Sequence, residues 1–299
     1  MKIQTKISSI IFSLILATGI VTIITIAFVS KKMIEAEVYA HLENIAISRA
    51  SHVETLFIEH QDVVEILAIE STFIEAVIHP NKTKSVALLQ QRIKHIAQVD
   101  DHISRIRVLD KNGDVIASTH SHIGIDIKGN ADIFAHGKAG IYIRDIQISI
   151  MTGTKIFSIS APIIVKGEFL GIVILNIEVE NRLYQITTNL TGLGKTGEIY
   201  LINKERYMIT PSRFLEDTFL KQKVNSSEAG ECFALSEEKH KSKHAAMDIY
   251  EDYHGQLVMG THRTIKGVNW CLMAEIDAEE AFAPVNKLVQ LMILFFMLL

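Results

Sequence analysis

The chain has 299 residues, 48% of them hydrophobic, and a formal net charge of −4, which suits one large or two smaller folded units and excludes a long disordered tail. Lysines and arginines are interspersed with carboxylates, so no basic cluster offers the footprint that phosphate binding needs, and nucleic acid is excluded as a partner.

From Ile7 to Ser30 there is no charged residue. At about 1.5 Å per helical residue this stretch reaches roughly 36 Å, more than the ~30 Å of a hydrocarbon core. It is read as an uncleaved transmembrane helix over 7–30, with 1–6 on the cytoplasmic side. Beyond it Val38, Leu42, Ile45, Arg49, Val53, Leu56 and Phe57 recur at three- and four-residue intervals, so an amphipathic helix continues out of the membrane to about Ala68. Its apolar face either forms a dimer seam or packs on its own domain. His79-Pro80-Asn81 breaks the pattern, because proline disfavours helix at the residue before it. A shorter helix is expected from Lys84 to Gln98, and beyond Asp100 the period becomes that of strands.

Ile106 and Val108, then Val115 and Ile116, flank Asp110-Lys111-Asn112-Gly113-Asp114, where Asn-Gly is expected to supply the positive φ angles of a tight hairpin. Further strands are expected at Ile141–Ile146, Lys155–Ala161 and Phe169–Ile177. A last apolar run begins near Leu288 and is read as the start of a second span, 286–299, cut short. Cys232 and Cys271 match neither a zinc pattern nor a redox pair. Either they form one disulfide in an oxidising compartment, or Cys271 beside Trp270 is simply core.

A repeat organises the region between the spans. Ile106-Arg107-Val108-Leu109-Asp110-Lys111 resembles Ile199-Tyr200-Leu201-Ile202-Asn203-Lys204, and Val115-Ile116-Ala117 matches Met208-Ile209-Thr210 without a gap. Val165-Lys166-Gly167 then corresponds to Ile265-Lys266-Gly267, and Asn176-Ile177-Glu178 to Glu275-Ile276-Asp277. The expected fold is α+β: a long N-terminal helix, then two copies of an antiparallel sheet with helices on one side, flanked by transmembrane helices.

That order resembles the double Cache sensor family over nearly the whole chain. The stretches that carry the likeness are Val108 to Ser118, Ile159-Ser160-Ala161-Pro162-Ile163 running on to Gly171-Ile172-Val173, Gly194 to Asn203, and Trp270 to Asp277. The resemblance implies a sensor over 31–285 with PAS-like modules: the long helix at 31–80, a membrane-distal module at 81–180 that binds a small molecule, and a membrane-proximal module at 181–278 that transmits the signal. It implies a receptor in the bacterial inner membrane, sensor facing the periplasm or extracellular space, and a homodimer. Such sensors feed histidine kinases, diguanylate cyclases, phosphodiesterases or chemotaxis transducers. A histidine kinase is the expected output, and this chain itself contains no catalytic domain. In the amino-acid-binding branch an Arg-x-Trp-Tyr motif grips the ligand carboxylate, and a later Tyr and Asp hold the ammonium. Trp270 lies in the other module, Tyr142 stands for the later tyrosine, and Asn176 takes the aspartate position. A carboxamide cannot give an ammonium a full charge-assisted bond, so the expected ligand is not a proteinogenic amino acid.

The candidate ligand-binding residues are Phe134, Tyr142, Arg144, Asp145 and Asn176, polar tips on an apolar background. Strand alternation puts Tyr142 and Arg144 on one face and Asp145 on the other. His120 and His122 could join His102 or His136 around a metal, but surface histidines are the simpler expectation and no metal or cofactor is assigned. Gly192, Gly194 and Gly197 lack the order of a phosphate loop, and no Ser/His/Asp or Cys/His set stands out. Two other functions remain open: an adaptor that binds a partner protein and no small ligand, and an anchored enzyme.

Overall fold

The computed structural model describes residues 3–120, 127–150, 152–180, 182–234 and 249–298. A single helix, α1 (Ile3–Ile69), runs from the apolar N-terminal stretch into the folded region without a break. Neither Gly nor Pro occurs between Gly19 and Glu70, so nothing interrupts its hydrogen-bond ladder. After α2 (Ser71–Ile78) the chain turns at His79-Pro80 into α3 (Thr83–Val99).

The first module, expected to lie distal to the membrane, follows as β1 (Ile103–Asp110), β2 (Val115–Ser118), α4 (Ile127–Gly137), β3 (Tyr142–Ile148), β4 (Lys155–Val165) and β5 (Glu168–Glu178). Its antiparallel sheet has the order β2-β1-β5-β4-β3. The proximal module consists of α5 (Leu183–Thr188), β6 (Glu198–Asn203), α6 (Ser227–Ala234), β7 (Ile249–Glu251), β8 (Leu257–Ile265) and β9 (Trp270–Asp277), and β9 passes directly into α7 (Ala278–Leu298). Its sheet order, β6-β9-β8-β7, repeats β1-β5-β4-β3. The repeat therefore describes two sheets of one topology. Met208-Ile209-Thr210, the counterpart of β2, forms an isolated bridge from Met208 to Ile202 instead of a strand, with the Ile209 N–H donating to the Leu201 carbonyl at 2.9 Å.

The first hairpin differs from its expected geometry. Gly113 alone has positive φ there, +92°, and Asn112 does not. The Asp110 carboxylate organises the loop instead, Oδ1 accepting the backbone N–H groups of Asn112 at 2.8 Å and Asp114 at 2.9 Å. Asn203, its repeat counterpart, accepts the N–H of Tyr207 in the same way at 2.9 Å.

The main core lies between the sheets and α1 to α3. Leu42, Val53, Leu56 and Phe57 of α1 are buried in it, so the apolar face of this helix is packed on its own domain. Of the two readings of this face, a dimer seam or packing on its own domain, the structure shows the second. At the junction of the modules Phe57 meets Phe157 at 5.1 Å and Trp270 at 5.2 Å, both edge-on. Fully burying an aromatic of this kind stabilises the fold by about 1.5–3 kcal/mol. On the opposite face of the proximal sheet a Cys232–Cys271 disulfide, with Cα atoms 6.4 Å apart, fixes α6 to β9.

Two described helices, α1 and α7, are long and apolar enough to cross a membrane. They lie side by side, Gly19 beneath the Phe296 ring and Lys31 Nζ 4.8 Å above the Phe282 ring.

Candidate functional site

The second face of the distal sheet carries the candidate site. Alternation along β1 turns Ile106 and Val108 to the helices and Arg105, Arg107 and Leu109 to the other side. The registers Arg105↔Asn176 and Ser158↔Asn176 place one polar row across β1, β5 and β4. Asn176 Oδ1 accepts from Arg107 Nη2 at 3.1 Å and from Ser158 Oγ at 3.0 Å. Arg105 Nε donates to Ser118 Oγ at 3.1 Å, and Gln90 Nε2 of α3 donates to the Ser118 backbone carbonyl at 2.6 Å. Arg105 and Arg107 are only 7% and 5% exposed, so their charge is held in a weakly screening medium where polar contacts are strong. Ser160 Oγ, two residues along β4 from Ser158, is buried without a hydrogen-bond partner among the described residues.

Apolar side chains close the rest of this face. Leu109, Ile172 and Ile174 pack with Ile133 of α4, and Phe134 meets Phe169 edge-on at 6.1 Å. At the β3 edge the His136 ring stacks on Tyr142 at 4.6 Å, and Asp132 lies 3.8 Å from Arg144 Nε. Burial, followed by the charge of Asp132, raises the Tyr142 phenol above its usual range, so it acts as a neutral hydrogen-bond donor and acceptor. A polar row of guanidinium, carboxamide and hydroxyl groups within an apolar frame is the composition of a small-molecule site, where a few fixed polar groups orient the ligand.

Of the residues singled out in the sequence, Phe134, Tyr142, Arg144 and Asn176 share this face. Asp145 does not: its Oδ1 accepts from Trp270 Nε1 of the proximal module at 2.6 Å. Arg105, Arg107, Ser158 and Ser160 were missed. Polar residues at alternate positions of otherwise apolar strands, Arg105-Ile106-Arg107 and Ser158-Ile159-Ser160, were the available signal. Among the described residues, His102 Nε2 lies 3.6 Å from Asp101 on a turn and the His136 ring stacks on Tyr142, while His122 lies outside the described residues.

The profile of the double Cache domain matches residues 30–285. No curated protein matches by sequence. Among solved structures, the sensor domain of the histidine kinase DctB of V. cholerae is similar at 12% identity and a TM-score of 0.59, over 83% of this chain and 98% of that one. The ligand-binding domain of the amino-acid chemoreceptor PctC of Pseudomonas aeruginosa PAO1, solved with GABA, is similar at 14% identity and a TM-score of 0.58, over 80% and 100%. The ligand-binding domain of the chemoreceptor CtaA of Pseudomonas fluorescens, solved with L-serine, is similar at 15% identity and a TM-score of 0.56, over 82% and 99%. With the profile spanning both sheets and the junctions to both apolar helices, the chain belongs to the double Cache family of sensor domains.

Proposed function

We propose that this chain is the extracytoplasmic sensor half of an inner-membrane receptor, with a histidine kinase as its output, and that its distal module binds a small organic carboxylate. The observation that carries this reading is the buried row of Arg107, Asn176 and Ser158, flanked by Arg105. A guanidinium presents parallel N–H donors that match a carboxylate, and it does so most strongly where water is excluded. A free amino acid would also need an anionic partner for its ammonium. Asn176 is neutral, and its carbonyl oxygen already accepts two bonds, from Arg107 and Ser158. The structurally similar chemoreceptor domains solved with L-serine and GABA bind amino acids.

The route of the signal starts on β3. Its residues Tyr142 and Arg144 face the site while Asp145, on the other side of the same strand, holds Trp270 at the start of β9. β9 runs without a loop into α7, so a ligand that moves β3 acts on the second span through one hydrogen bond and one strand. The receptor is proposed as a homodimer through the outward stripe of α1, where Ile47, Ile58, Ile66 and Ile69 remain 48%, 56%, 61% and 73% exposed.

A melting-shift screen of the purified chain in lipid nanodiscs tests the ligand class. Small mono- and dicarboxylates are expected to raise the melting temperature, since a ligand at a hundredfold excess over Kd stabilises by about 2.7 kcal/mol. A shift with common amino acids and none with simple carboxylates would contradict the proposal.

A further inference from the structure

The glycine-rich loop at 189–197, between α5 and β6, holds an anion that belongs to the same chain. Gly194 has φ +68°, and the N–H groups that follow it, those of Lys195 and Thr196, converge on the Glu280 carboxylate in the first turn of α7 at 2.8 and 2.6 Å. Successive N–H groups turned inward by a left-handed residue make a concave site for an anion. Thr196 Oγ1 donates to the same carboxylate at 2.6 Å and accepts the N–H of Asp277, where β9 ends, at 3.1 Å. A Cβ at position 194 would stand 2.7 Å from Glu280 Oε1, so glycine there serves both the backbone angle and the close approach of the carboxylate. Arg213 Nη1 braces the loop by donating to the Gly197 carbonyl at 2.5 Å.

The other end of the loop grips α1. His41 Nε2 donates to the Gly192 carbonyl at 2.7 Å, and Arg49 Nη2 reaches the Asn189 carbonyl at 3.4 Å. Gly192, at φ +83°, lies against the same helix, and a Cβ there would be 3.2 Å from Ile45 Cδ1. One short loop thus bonds both helices that are long and apolar enough to cross a membrane. Elsewhere α1 and α7 meet through Lys31 over the Phe282 ring and through Gly19 beneath Phe296. Apolar packing of that kind is non-directional and fixes no register by itself. The loop supplies directional bonds, and those to Glu280 are strengthened by its charge.

We propose that this loop is a clasp that sets the register of α7 against α1, with Glu280 as its latch. While the carboxylate sits in the loop, the two apolar helices hold one arrangement, and a signal that shifts α7 draws Glu280 out. The donors from Lys195 and Thr196 are lost together when it leaves, so the junction has two discrete states, as a switching element needs. The clasp works in the same way whichever compound the first module takes.

The full chain in nanodiscs, spin-labelled at Met33→Cys on α1 and Asn286→Cys on α7, tests the clasp by the distance between the two labels. Both positions are exposed, and the native cysteines are joined to each other and take no label. Dilution with unlabelled chain restricts the measurement to pairs within one subunit. Glu280→Ala is expected to broaden or displace the distance distribution and to speed amide exchange across 194–197 about tenfold or more, because charge-assisted bonds are lost. Gly194→Ala should do the same. Gly255→Ala places a side chain at a similar φ, +85°, in the turn between β7 and β8 with nothing within 4 Å, and should do neither. An unchanged distance distribution in Glu280→Ala, unchanged exchange in that variant, or equal broadening in Gly255→Ala would each overturn the proposal. Glu280 is only partly buried, so Glu280→Ala decides the test even where Gly194→Ala fails to fold.

Discussion

Trp270 Nε1 donates a 2.6 Å hydrogen bond to Asp145 Oδ1, joining the strand that bears Tyr142 and Arg144 to the strand that enters the second apolar helix. Desolvation raises the Asp145 carboxyl, and the bonds from Trp270 and from the Ile146 N–H oppose that rise. Trp270→Phe keeps the ring among Phe57 and Phe157 and removes only the donor, at a cost of about 1.5–3 kcal/mol. Ligand affinity in the distal module should be unchanged in this variant, while the ligand-dependent change in output falls. Calorimetry paired with an autophosphorylation assay on the complete receptor checks it, and a full response in Trp270→Phe would remove this bond from the signal path.

The dimer proposal makes a positional prediction. Cysteines at Ile47, Ile58 and Ile66 should crosslink between subunits, because these side chains point outward, while cysteines at Leu42, Val53 and Leu56 should not, because these are buried against the sheets. Oxidative crosslinking in membranes reads both sets. Crosslinking confined to the second set would require the sensor to open along its own core.

Glu275 gives a pH prediction with a definite sign. Burial and then the charge of Glu198 raise its usual value of 4.5 to about 8 on folding, so the folded state holds the proton more tightly. The stability it contributes is complete below 4.5 and lost as pH rises through 8. The unmodified chain should therefore lose roughly a few kcal/mol across that window, and Glu275→Gln, which keeps an uncharged side chain of the same shape, should flatten the loss. Melting curves against pH decide it; a slope unchanged in the variant assigns the effect to another group.

What was legible in the sequence was local or periodic. The hairpin at Asp110–Asp114, the helix break at His79-Pro80 and the two-module repeat all follow from residue type and spacing, and each is present in the fold. The Asp145–Trp270 bond spans 125 residues, and the disulfide spans 39, so no window of sequence contains either partner pair. Arg105 and Arg107 give no clear signal in the sequence because β1 is buried on both faces and its alternation is weak, with Leu109 sharing their side. The apolar face of α1 was ambiguous for another reason: a stripe at helical spacing states that something covers it and not what.

The central claim is that the distal row reads a carboxylate, and calorimetry of the strongest carboxylate from the melting screen against Arg107→Ala tests it most directly. Losing one buried charge-assisted bond costs about 1.5–3 kcal/mol, or about ten- to a hundredfold in Kd. The account predicts a loss of that size in Arg107→Ala and none in Glu275→Gln. Unchanged affinity in a folded Arg107→Ala protein would contradict it.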